Sequence, residues 1–142
     1  MTQYILDTSA IIAYIENEEG NDQIESLLLQ ALEQQIRLLI SIVSTIEVFY
    51  ISTQEQGQEV ALERLELIQT LPLEQFDVDS SLIQIIGELK ATKFLSFADC
   101  CIAGLAKFMN AILIHKDPEF EQIEHEIQQL KLPYKQKLGK VK

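Results

Sequence analysis

Tyr4-Ile5-Leu6-Asp7-Thr8-Ser9 is a short apolar run that ends on a carboxylate, and a second apolar run, Ala10 to Ile15, starts directly after it. The aromatic and β-branched bias of Tyr4 to Leu6 predicts a buried strand, while Asp7, Thr8 and Ser9 carry side chains that cap the free N–H groups of a helix. The stretch therefore predicts strand, acid, helix. In an open parallel sheet, ligands bind in the groove beyond the carboxyl ends of the strands, so an acid here serves chemistry as readily as capping.

Working outward, the same alternation recurs. The polar cluster Asn17 to Asp22 predicts a turn, and Ile24, Leu27, Leu28, Ala31 and Leu32 then repeat at helical spacing before a second apolar run, Leu38 to Ile42. Ser44-Thr45-Ile46-Glu47 fits a capping box, with Ser44 at the N-cap of a helix that Gly57 ends. A further amphipathic helix carries Val60, Leu62, Leu65, Ile68 and Leu71, and Leu73 to Val78 is a weaker strand. Asp79 caps the helix that follows, and Lys90 to Leu95 reads as a loop. Ser96-Phe97-Ala98-Asp99 repeats the box ahead of the nearly uncharged helix Cys100 to Met109. Ala111 to Ile114 then reads as a strand running toward His115, Lys116 and Asp117, with Pro118 opening a short helix and Ile127 to Leu132 forming an edge strand.

Composition narrows the class. At 142 residues and 47% hydrophobic, the chain suits one domain able to bury roughly 70% of its unfolded surface. No basic segment precedes an apolar leader and no run is long enough to span a bilayer, so the expected location is the cytoplasm. The adjacent Cys100 and Cys101 are poorly placed to pair with each other and read as reduced core thiols. A net charge of −11 argues against simple electrostatic attraction to nucleic acid. The charge is uneven: all 22 acids lie at or before Glu126, while five of the 11 bases, Lys131, Lys135, Lys137, Lys140 and Lys142, fall at the end.

Four acids stand at helix starts after apolar runs: Asp7, Glu47, Asp99 and Asp117. Capping explains each alone. Together they differ, because parallel alternation brings at least Asp7 and Asp117 to one edge, where carboxylates about 4 Å apart repel by about 4 kcal/mol at an effective dielectric of 20. Protonation or a cation relieves that repulsion. Oxygen donors without a histidine or cysteine set favour Mg²⁺ or Mn²⁺ over zinc.

These residues also carry a resemblance. Tyr4 to Ser9, Ser44 to Glu47, Leu95 to Ala103 and Ile112 to Phe120 resemble, in order, the four acidic motifs of the PIN domain family, and the likeness is to the small single-domain members typified by the VapC toxins of toxin-antitoxin pairs. The resemblance implies an α/β fold, a three-layer α/β/α arrangement around a central parallel sheet, in a PIN-like nuclease domain over residues 1–126 followed by a basic tail over 127–142. It implies a metal-dependent endoribonuclease with Asp7, Glu47, Asp99 and Asp117 as its acids, Mg²⁺ or Mn²⁺ as cofactor, and a small antitoxin and a second copy as partners. Thr8 and Ser9 would support the acids with hydroxyls, and Lys90, Lys93 and Lys116 are candidates for phosphate contact. The alternative expectation is a PIN-like module that binds RNA or protein without cutting. A phosphatase of the Asp-x-Asp type is disfavoured, since Asp7-Thr8-Ser9 lacks the second aspartate.

Overall fold

The computed structural model describes residues 1–135. Five parallel strands form one sheet: β1 (Gln3–Leu6), β2 (Arg37–Ser41), β3 (Glu74–Phe76), β4 (Ile112–His115) and β5 (Gln129–Lys131), in the order β3-β2-β1-β4-β5. Helices α1 (Thr8–Ile15), α2 (Asn21–Leu32), α3 (Ile42–Gln56), α4 (Gln58–Thr70), α5 (Ile83–Thr92) and α6 (Phe97–Met109) cover it, with short 3₁₀ turns at Ser80–Leu82 and Pro118–Ile123. The expected α/β/α layering is present.

The two-residue repeat of a strand divides the core. Ile5, Leu39 and Leu113 point to a cluster completed by α5, α6 and the buried Phe120 and Ile123. Leu6, Leu38, Ile40 and Ile114 point the other way, to α1, α2 and Val48 of α3. Because both faces are covered, the strands read as continuous apolar runs rather than as alternating ones. Cys100 and Cys101 are buried and free, as their composition suggests.

Several local readings shift. Ser41, not Ser44, caps α3: its hydroxyl accepts from the Val43 N–H at 3.1 Å, which places Ser44 inside the helix with no exposed surface. The helix thus starts one turn earlier than the box pattern implies, directly after β2 ends at Ser41. Lys90 belongs to α5, which continues to Thr92, so the loop before α6 is shorter than expected. Gly57 does separate two helices. Its φ of 94° and ψ of 162° lie in a region open almost only to glycine, so α3 can turn directly into α4. Ile127 to Leu132 does contain an edge strand, β5, paired with β4. Of the basic tail, Lys137, Lys140 and Lys142 lie outside the described residues.

Gly104 marks a close approach of two helices. A Cβ added there would sit 2.8 Å from Ile86 Cγ1 and 3.2 Å from Ile85 Cγ2, so α5 and α6 pack on a bare backbone. Gly104→Ala should therefore destabilise the fold by about 1–3 kcal/mol through overpacking, despite the better helix propensity of alanine. Urea denaturation measures this; a stability equal to or above that of the original chain would contradict it.

Candidate metal centre

The sheet order reverses between β1 and β4: β2 and β3 extend to one side of β1, β4 and β5 to the other. At such a switch point the two following connections leave on opposite faces and open a crevice at the strand ends. Asp7 follows β1 there, and its N–H continues the ladder by donating to the Ile114 carbonyl at 2.9 Å. As N-cap of α1, Asp7 accepts through Oδ2 from the Ser9 N–H (3.1 Å) and the Ser9 hydroxyl (2.6 Å). Ser9 Oγ in turn accepts from the Lys116 N–H at 3.0 Å, so one serine joins the ends of β1 and β4. The other oxygen, Asp7 Oδ1, is buried and has no hydrogen-bond partner among the described residues.

Glu47 arrives from the second turn of α3. Its Oε1 accepts from Thr8 Oγ1 at 2.6 Å and its Oε2 from the Tyr50 hydroxyl at 3.2 Å, while Thr8 also reaches Ser44 Oγ at 3.1 Å. Asp99 sits in the first turn of α6, where its N–H donates to the cap Ser96 at 3.1 Å. Asp117 caps the 3₁₀ turn opened by Pro118, accepting from the Glu119 N–H at 2.9 Å. All four sequence-derived acids thus line one cleft of about 590 Å³, together with Thr8 and Ser9.

Burial and crowding raise two of them, Asp7 and Asp99. Burial pushes Asp7 from 3.8 up to about 6, against the lowering effect of the Ser9 hydrogen bonds, and Glu47 adds a smaller push. Asp99 rises to about 7, first from burial and then from the charges of Asp7, Asp117 and Glu47. A buried carboxylate oxygen without a donor, beside further carboxylates that line the same cleft, is a donor set suited to a hard divalent cation.

Glu119 is an addition the sequence reading did not make. One carboxylate oxygen from each of Asp99, Asp117 and Glu119 lies within 4.8 Å of the others. The signal was the spacing Asp117-Pro118-Glu119: a tight turn brings the residue two positions on back toward its cap. Lys116 lines the cleft, but Lys90 and Lys93 do not. Lys90 Nζ donates to the Leu95 carbonyl at 3.0 Å and Lys93 pairs with Glu126 at 3.1 Å. Their nearness to Asp99 in sequence is undone by the turn between α5 and α6. His115 is buried with both ring nitrogens engaged: Nδ1 accepts from the Asp117 N–H at 3.1 Å and Nε2 meets Gln129 Oε1 at 2.8 Å. Phe94 and Phe97, on either side of the start of α6, are 91% and 64% exposed.

An all-parallel sheet whose acids collect at its switch point defines an acid-centred α/β domain with its site at the strand ends. The family model of the PIN domain matches residues 4–126, and the chain belongs to the PIN domain family. Among solved structures, it is similar to VapBC2 from Rickettsia felis bound to a DNA fragment from its promoter, with a TM-score of 0.76, 20% identity, and coverage of 93% of this chain and 100% of that one. DNA-bound VapBC from Salmonella typhimurium gives a TM-score of 0.75 at 24% identity, covering 92% and 98%. VapC20 of Mycobacterium tuberculosis, a sarcin-ricin loop cleaving toxin, gives 0.67 at 12% identity, covering 92% and 99%. At these identities the likeness establishes the fold. No curated protein sequence matches. No helix among the described residues is long and apolar enough to cross a membrane.

Proposed function

We propose that this chain is a divalent-metal-dependent endoribonuclease that hydrolyses RNA phosphodiester bonds in the cytoplasm, as the toxin of a toxin-antitoxin pair held in check by a small antitoxin protein. The observation that carries this reading is Asp7 Oδ1, a buried carboxylate oxygen with no donor, placed among Glu47, Asp99 and Asp117 in one cleft. Membership of the PIN family and the likeness to toxin-antitoxin structures support the same assignment.

Asp7, Asp99 and Asp117 would hold Mg²⁺ or Mn²⁺, with Glu119 reinforcing the Asp99 and Asp117 side. Bound there, such an ion supplies Lewis-acid polarisation of the phosphoryl group and eases ionisation of the attacking water. The chain supplies position. Ser9 fixes the Asp7 carboxylate through two hydrogen bonds, and Thr8 and Tyr50 hold Glu47 so that it can orient a water and accept its proton. Homodimerisation belongs to this reading too. Ala10, Ile11 and Ala13 of α1 are used in the core, whereas Ile46 and Tyr50 in the first half of α3 stay exposed.

The test is purified protein with labelled RNA, with Mg²⁺ or Mn²⁺ and with EDTA. Cleavage that requires the ion is the expected result, and intact RNA under every metal condition refutes the activity. Thr8→Val keeps the shape of the residue but removes the 2.6 Å partner of Glu47. It should cost about 10- to 100-fold in Mn²⁺ affinity or rate, read by calorimetric titration and single-turnover cleavage.

A further inference from the structure

The cleft that holds the acids also carries two ammonium groups, Lys116 and Lys135, both directed to one carboxylate, Glu18. Lys116 is buried; its Nζ donates to the Glu19 carbonyl at 2.8 Å and lies 3.5 Å from Glu18 Oε1. Lys135 Nζ lies 2.8 Å from Glu18 Oε2, yet its side chain is 66% exposed. The two lysines lower the Glu18 pKa, so the carboxylate stays charged.

The segment after β5 is built to deliver Lys135 there. Leu132 is buried, and its N–H donates to the His115 carbonyl at 2.9 Å. Gly20, at φ 99°, leaves room beneath it: a Cβ at that position would come within 3.2 Å of Leu132 Cβ. Tyr134 then stacks over the His115 ring at 6.1 Å and 25°, and its hydroxyl donates to Glu121 at 2.6 Å. Lys135 follows an anchored residue.

Two lysines on one glutamate exceed what neutralisation requires. The buried Lys116 already compensates Glu18, so Lys135 brings a further positive charge into the cleft that holds Asp7, Glu47, Asp99 and Asp117, in a chain of net charge −11. Lys135 is open to solvent, where an ion pair is weak and screened by salt, and Lys116 stays with Glu18, so an incoming phosphate oxygen can take the place of Glu18 at Lys135 at small cost. We infer that Lys135 is a phosphate-contacting residue for single-stranded RNA, held ready by Glu18 and engaging a backbone phosphate beside the one at the acid cluster. The inference rests on the nuclease reading for the choice of RNA as ligand, and it assigns Lys135 to binding and positioning rather than to the reacting atoms.

The test is binding of a fluorescein-labelled single-stranded RNA to the full chain in EDTA, by anisotropy over a range of KCl concentrations. Lys135→Gln should weaken binding about 5- to 10-fold and lower the logarithmic salt slope by about 0.7, the loss of one phosphate contact on a single strand. Lys135→Arg should retain both quantities. Glu18→Gln, which releases Lys135 from its competitor, should tighten binding severalfold, whereas a pair that only staples the tail predicts no gain. In Mg²⁺, the Lys135→Gln loss should appear in KM with kcat nearly unchanged. An affinity and slope for Lys135→Gln equal to the original chain's overturns the inference, and so does a failure of the original chain to bind RNA in EDTA. Unaltered binding alongside metal-dependent cutting sinks this inference alone. Lys135-dependent binding without cutting sinks the nuclease reading alone.

Discussion

Asp7→Asn is expected to reduce ion-dependent RNA cleavage by at least about 100-fold while making the metal-free protein more stable, two effects of opposite sign from one oxygen-to-nitrogen change. The loss follows from position. Asp7 Oδ1 is the one buried side-chain oxygen without a hydrogen-bond partner among the described residues, and an amide there cannot supply an anionic donor to a cation. The gain follows from the same burial. With its pKa pushed from 3.8 to about 6, ionised Asp7 costs the folded state about 3 kcal/mol well above pH 6, and a neutral side chain removes most of that cost. The Ser9 N–H and hydroxyl can still donate to the Asn carbonyl, so the loop keeps its local hydrogen bonds. A gain of about 1–3 kcal/mol in metal-free stability is the expected balance. Urea melts in EDTA and cleavage assays in Mg²⁺ measure the two halves. A variant that is both active and no more stable would show that Asp7 is only a helix cap.

Without metal, the protein should gain stability as pH falls from about 8 to about 5. Asp7 and Asp99 are raised to about 6 and about 7 in the folded state, so between their unfolded and folded pKa values the native chain binds more protons than the unfolded one. Stability therefore decreases as pH rises through that window, opposite to the usual behaviour of salt-bridged carboxylates. The gain should level off near pH 4, where the unfolded acids also take up protons. There the lowered carboxylates Glu18, Glu74 and Glu126 begin to lose their favourable pairing. Saturating Mn²⁺ should reverse the slope, since a cation binds the ionised acids and competes with their protons. Metal affinity should then increase with pH through the 6 to 7 range, with protons released on binding. Thermal melts across pH, with and without Mn²⁺, supply the check; a metal-free stability that increases from pH 5 to pH 8 contradicts the assignment.

Much of the candidate site was legible because its acids sit on short-range signals. Asp7 and Asp117 each end an apolar strand, Asp99 follows a cap serine by three residues, and Glu47 lies one turn into a helix after β2. All four reach one cleft. The lysines were less legible. Lys90 and Lys93 are close to Asp99 in number, but the turn before α6 sends them to the Leu95 carbonyl and to Glu126. Lys135 is far in sequence from the four acids of the cleft and comes to it because Leu132 and Tyr134 are pinned beside His115. The capping box at Ser44 misled for a related reason: a three-residue spacing also places two side chains on one face of a continuous helix, and here that face turns toward Thr8.

The sequence by itself determined the alternation of strand and helix, the caps at Asp7, Asp79, Ser96 and Asp117, and hence a parallel sheet with acids at its strand ends. Hydrophobic period and capping chemistry act over a few residues and need no knowledge of the whole. Only the tertiary structure decided which strands are neighbours, that the order reverses between β1 and β4, that Glu119 comes beside Asp99 and Asp117, and that Lys135 joins the cleft. The pKa values of Asp7 and Asp99 are decided at that level too. Desolvation and charge repulsion depend on distances between groups up to a hundred residues apart, and packing alone sets those distances.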